Sequence, residues 1–198
     1  MVDGDVSLEG IFIDAKTSLT YEVYFNNEFV YSTVVNGAKT GAVTIPEGLR
    51  RDYVELTADK QTITSLPATV RINATWTAPM KVATPADTTW YNLKVSNQPR
   101  WVSSGNYTPN VYFIDETYIT TDYALWALTG NPYSGFRLIN KAMGPTMVLA
   151  SASPKGSAKA GGNTYATLLP ADNLPAGYTS DWTVTISPND DEGFYICN

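Results

Sequence analysis

The chain contains no histidine, and its one cysteine, Cys197, stands next to the last residue. Histidine is the commonest general base and the commonest transition-metal ligand, so its absence removes two routes to catalysis together. No histidine is available to activate a serine or a thiol, and Cys197 reads as a strand residue. A glycosidase of the two-carboxylate type needs acids on both sides of one cleft. The acidic residues here cluster instead in turn-like contexts, Asp115-Glu116 and Asp190-Asp191-Glu192, and read as solvated loop carboxylates. Asn189-Asp190-Asp191-Glu192 gathers hard oxygens but lacks EF-hand spacing, so neither a metal nor a cofactor is expected. These residues describe a binding module rather than an enzyme.

Aromatic residues are the stronger inventory, with 13 Tyr and 5 Trp. Flat apolar faces with polar edges are suited to stacking on sugar rings and hydrogen-bonding their hydroxyls. Most belong to the core, but Tyr133 lies in the polar turn Gly130-Asn131-Pro132-Tyr133-Ser134, where an aromatic either packs locally or meets a ligand. Asn131, Tyr133, Asn140 and Lys141 are therefore the first candidates for a sugar site.

Short strands must position these groups. With 198 residues the chain is long enough to bury roughly two thirds of its unfolded surface in one large or two small domains. Leu19 to Tyr31 alternates, placing Tyr21, Val23 and Phe25 on one face, and Asn26-Asn27 interrupts it as a hairpin turn. Phe29, Tyr31, Thr33 and Val35 continue the period of two. Further runs at Gly41 to Ile45, Tyr53 to Ala58, Gln61 to Thr64 and Val70 to Trp76 predict an immunoglobulin-like β-sandwich over residues 1–84. Only Glu47 to Tyr53 fits a helical turn. Pro79 to Asp87 reads as a linker, and Asp87-Thr88-Thr89 within it resembles an O-glycan acceptor of exported bacterial proteins. Beyond it short strands, prolines and glycines continue to the end with no sustained helical period, so the fold class is all-β.

Within residues 87–198 one pattern recurs. Trp126 leads through a polar turn into Gly135-Phe136-Arg137-Leu138-Ile139-Asn140, and Trp182 leads into Gly193-Phe194-Tyr195-Ile196-Cys197-Asn198. Glycine permits the positive φ that ends each turn, and phenylalanine starts the return strand. Trp90-Tyr91-Asn92-Leu93-Lys94-Val95 reads as a weaker first copy. Trp-bearing hairpins of this kind resemble the ricin-type β-trefoil, and more closely a trefoil-like lectin segment of secreted Bacteroidetes proteins. The ricin-type Gln-x-Trp signature is missing, because Ala124 and Ser180 stand where glutamine would be. The resemblance implies a non-catalytic carbohydrate-binding module, extracellular or at the cell surface, with a glycan or glycoprotein as partner. It adds Asn189, Asp190 and Asp191, in the last repeat's turn, to the candidate ligand residues. The alternative is a structural or adhesive surface module that binds protein.

Charge and hydropathy narrow the partners further. A formal charge of −6 without a Lys/Arg cluster disfavours nucleic acid. No apolar run is long enough to span a membrane, and the first twenty residues lack a signal-peptide pattern; either the protein is cytosolic or a leader has been removed, and the lectin resemblance favours the second. The third repeat stops short of its closing strands. Phe194 to Cys197 is thus expected to present an open edge, completed by further domains of the polypeptide or by another chain.

Overall fold

The computed structural model describes residues 16–95, 98–105, 108–152, 166–186 and 194–197. All described regular structure is β, apart from three single 3-10 turns at Glu47–Leu49, Glu116–Tyr118 and Asp122–Ala124. The chain divides into two compact units. One runs through Arg50 and resumes over Leu56–Thr75; the other holds Arg51–Glu55 and everything from Trp76 onward. Asn189, Asp190, Asp191 and Gly193 lie outside the described residues.

The first unit is built on β1 (Leu19–Phe25), β2 (Glu28–Val35), β3 (Gly41–Ala42), β4 (Val54–Ala58), β5 (Thr62–Ile63) and β6 (Ala68–Trp76), whose end residues at β4 and β6 cross into the other unit. Its main sheet has the order β2-β1-β6-β4, and β3 pairs with β5 in a separate two-stranded sheet. Asn26 and Asn27 take φ of 51° and 65°, the left-handed pair that a two-residue hairpin needs to match strand twist. The period of two then sorts β1 cleanly: Leu19, Tyr21, Val23 and Phe25 are buried, and the residues between them are half-buried. Parallel β6 sets Val70 and Ile72 beside Tyr21 and Val23, and all four are buried. The Tyr21 hydroxyl donates to the Thr44 carbonyl at 2.8 Å, and Leu49 and Ile63 are buried as well. Strand β2 departs from expectation. It alternates in sequence, yet Phe29, Tyr31, Val34 and Val35 are exposed, because β2 has β1 as its only partner among the described strands.

The second unit contains β7 (Leu93–Lys94), β8 (Trp101–Gly105), β9 (Thr108–Ile114), β10 (Trp126–Asn131), β11 (Gly135–Asn140), β12 (Gly144–Ala152), β13 (Ala166–Pro170), β14 (Tyr178–Thr179), β15 (Thr183–Ile186) and β16 (Phe194–Cys197). The sheet order β10-β11-β12-β13-β9-β8-β7 returns on itself, because Tyr91, just before β7, exchanges two 2.8 Å backbone hydrogen bonds with Trp126 of β10. The result is a nearly closed, barrel-like sheet. Inside it Trp126, Leu128, Phe136, Leu138, Leu149 and Leu168 form one buried cluster. Met80 joins that cluster, and Ala83 donates to the Leu128 carbonyl at 2.7 Å. The Pro-flanked segment read as a linker is therefore packed structure through Ala83: its apolar Met80 and Val82 outweigh the loop signal of its prolines. Trp76 is packed here too, its indole donating to the Met80 carbonyl at 2.8 Å and its ring 4.7 Å from Phe136.

The internal repeat has a counterpart in register. In the β10–β11 hairpin Ala127 faces Ile139, Leu128 faces Leu138 and Gly130 faces Phe136. In the β15–β16 hairpin Thr183 faces Cys197, Val184 faces Ile196 and Ile186 faces Phe194, the same offsets from each tryptophan. Each tryptophan also makes the same pair of bonds. Trp126 pairs with Tyr91 and donates its indole N–H to the Val102 carbonyl at 2.9 Å; Trp182 pairs with Phe136 and donates to the Leu149 carbonyl at 2.9 Å.

Candidate functional site

Of the residues singled out by sequence, Asn131 and Tyr133 share the turn between β10 and β11, and Asn140 and Lys141 stand at the far end of β11. A six-residue strand separates the two pairs by about 20 Å at the usual strand rise, so they do not form one site.

At the turn, Gly130 and Gly135 take φ of 94° and 98° on either side of the tip. Asn131 folds the tip on itself: its Oδ1 accepts from the Tyr133 and Ser134 N–H groups at 2.9 and 3.0 Å, and its Nδ2 donates to Ser134 Oγ at 2.7 Å. Its amide serves the turn, as Asn commonly does there. Tyr133 is half-buried, with the Arg51 guanidinium 5.1 Å from its ring centroid. Burial pushes its phenol above the ordinary value, and the Arg51 charge opposes that rise. The aromatic at the turn thus packs against Arg51.

At the other end, Asn140 is fully buried. It donates to the Tyr123 and Leu125 carbonyls at 2.8 and 3.2 Å, and its Oδ1 accepts from Ser104 Oγ at 2.9 Å and from the Ala142 and Met143 N–H groups. A side chain so enclosed ties the β11–β12 turn to β8 and to the 3-10 turn at Asp122–Ala124; it offers nothing to an outside ligand. Lys141 pairs with Asp122 at 2.8 Å on the surface. Among the described residues no three His, Cys, Asp or Glu side chains gather in a way that could hold a metal ion.

A face with aromatic and polar side chains lies elsewhere in this unit, on β7, β8 and β9. Val102 and Val111 pack into the core cluster, and alternation turns their neighbours Trp101 and Tyr112 to the opposite face. Trp101 stands across from Ile114, and Tyr112 from the small, buried Ser103, so the two aromatic residues are diagonal neighbours on adjacent strands. Lys94, paired with Trp101 in register, holds its ammonium 5.9 Å from the indole centroid. Asn110 Nδ2 donates to the Tyr112 hydroxyl at 3.3 Å, and Arg100 and Asp115 pair at 3.0 Å near the same strand ends. Tyr112 is 48% exposed. Sequence reasoning did not single out this face. The signal was present in the spacing Asn110, Tyr112, Ile114, which alternates polar and large residues against the buried Val111.

No protein-family model matches the chain, and neither a curated protein nor a solved structure does.

Proposed function

We propose that this chain is a non-catalytic glycan-binding module of a bacterial surface or secreted protein. In this reading an immunoglobulin-like sandwich precedes a trefoil-like lectin segment. The observation that carries it is the Trp101–Tyr112 face. The half-buried Trp101 and the exposed Tyr112 offer aromatic surface to the apolar faces of a pyranose, with the Lys94 ammonium over the indole and Asn110 and the Tyr112 hydroxyl as further hydrogen-bonding groups. The trefoil-like character is supported by the matched registers of the two Trp hairpins and the matched indole hydrogen bonds. Titration calorimetry of the full chain against an oligosaccharide panel tests the reading, with Trp101→Ala as the decisive variant. Trp101→Ala is expected to remove binding while the fold persists; no heat with any sugar, or equal affinity in the variant, overturns it. A protein-binding adhesive module is the second reading, favoured by the exposure of Phe113, Tyr118 and Ile186. It would show as loss of adhesion to protein-coated surfaces in Tyr118→Ser but not in Trp101→Ala.

A further inference from the structure

The main sheet of the first unit carries its own arrangement of stacking and hydrogen-bonding groups, in residues that the sequence marked only as strand. With Leu19, Tyr21, Val23 and Phe25 turned to the core, β1 presents Thr20, Glu22 and Tyr24 on the opposite face. On β6, Val70, Ile72 and Ala74 are buried, which leaves Arg71 and Asn73 on that same opposite face, in register with Glu22 and Tyr24. The third strand reaches the face through an irregularity. Val23 pairs with Tyr31, but the next residue, Tyr24, pairs with Phe29, so one residue of β2 is passed over. A bulge of this kind re-aims a side chain, and here it sets Phe29 beside Tyr24, with ring centroids 5.8 Å apart and planes at 74°. Phe29 is 56% exposed.

The polar groups are arranged in a way that strand pairing alone does not require. Glu22 and Arg71 are opposite charges directly across from one another, yet they form no ion pair. The Arg71 guanidinium lies over the Tyr24 ring, 3.9 Å from its centroid, and its Nε donates to Asn73 Oδ1 at 3.2 Å. The Tyr24 hydroxyl donates to Glu22 Oε2 at 3.2 Å. Among the described residues the two terminal amino groups of Arg71 have no acceptor, and Glu22 Oε1 has no donor. A planar fork of donors and a carboxylate acceptor, both in contact with one tyrosine, thus share this face with an exposed phenylalanine packed on the same tyrosine.

We infer that this face is a second binding site, for neutral pyranose sugars. An apolar ring face accounts for Phe29, and adjacent hydroxyls of a sugar accept from the Arg71 fork and donate to Glu22. The ligand is neutral because the site holds one positive and one negative group. A sugar carboxylate drawn to Arg71 would come up against the Glu22 charge on the neighbouring strand, and such strands are only about 4.8 Å apart. This inference lies in the other unit and does not rest on the Trp101–Tyr112 face.

The test is an NMR titration of the full chain, with backbone amides assigned, using xylohexaose, cellohexaose and mannohexaose as neutral probes and trigalacturonate as the acidic one. At least one neutral probe is expected to shift the Glu22, Tyr24, Phe29 and Arg71 signals, with trigalacturonate leaving them in place. Phe29→Ala and Arg71→Lys should each weaken that binding by about tenfold or more, the second because an ammonium keeps the charge but loses the fork. Phe29 is exposed, so its removal should leave the circular dichroism spectrum unchanged. Shifts confined to Trp101 and Tyr112 would overturn this site and uphold the other; shifts confined to β1, β2 and β6 would do the reverse. Silence at β1, β2 and β6 with every neutral probe, a response to trigalacturonate alone, or unaltered affinity in Phe29→Ala would each end the proposal.

Discussion

A buried amide that meets five partners is a costly group to remove. Replacing Asn140 with Leu keeps the volume but removes all five bonds: the Met143 N–H loses its partner, while the Tyr123 and Leu125 carbonyls and the Ala142 N–H keep only Ser104 Oγ, the Lys141 N–H and the Asp122 carbonyl. A hydrogen bond is worth about 0.5–1.5 kcal/mol net, so the loss of five is expected to cost about 3 kcal/mol or more in urea unfolding; a change below 0.5 kcal/mol would show that water replaces the lost partners. In sequence the same residue read as a candidate sugar ligand at the end of a strand. What buried it was Ser104, 36 residues away, a distance that no local pattern reports. Tyr24 offers a second test. Its hydrogen bond to the Glu22 carboxylate raises its phenol above 10.0, with desolvation and the Glu22 charge adding and the Arg71 charge opposing. Spectrophotometric titration should therefore find Glu22→Gln ionising this tyrosine at lower pH, and Arg71→Gln at higher pH. The sign for stability follows: a raised folded value favours the neutral phenol, so its contribution is full below about pH 10 and fades as pH climbs through the folded value.

Strands that the sequence made plain share one property: their signals are local. The Asn26-Asn27 turn and the alternation of β1 needed nothing distant, and both appear where expected. The burial of β2 was not legible, because whether an alternating strand is covered depends on what lies beside it in the sheet. The repeat was legible through Gly135, and here a comparison of two glycines is informative. Gly135 has φ of 98°, and a Cβ there would lie 2.8 Å from Asp181 Cβ; Gly144 has φ of 84° with nothing within 4 Å. Backbone strain alone costs about 1–3 kcal/mol at either position. Gly135→Ala should lower the melting temperature more than Gly144→Ala does, and equal shifts would mean that the Asp181 segment yields freely.

At the scale of the molecule, the sequence placed a linker at Pro79 to Asp87, whereas the chain divides after Thr75 and gives Arg51–Glu55 to the second unit. That five-residue piece belongs with the second unit through contacts that sequence neighbours do not reveal: Arg51 over Tyr133, Asp52 accepting from the Ile186 N–H at 3.2 Å, and Tyr53 against Trp76. Tyr53 adopts φ of 56°, unusual for an aromatic residue, and accepts from the Thr77 N–H at 2.9 Å. Asp52→Ala is expected to destabilise the second unit by about 1 kcal/mol, the ordinary worth of one hydrogen bond, measured by the protection of the Ile186 amide against hydrogen exchange.

The same division sorts the chromophores. Trp76, Trp90, Trp101, Trp126 and Trp182, all five in the chain, fall in the second unit. Emission excited at 295 nm is therefore blind to the first unit, whose unfolding can be followed only through tyrosine or through backbone dichroism. A denaturant curve read by tryptophan alone would report one of the two units and give no warning of it. Overlaying that curve on far-ultraviolet dichroism decides whether the chain unfolds in one transition or two, since a first unit that melts separately would change the dichroism while the tryptophan signal stays flat.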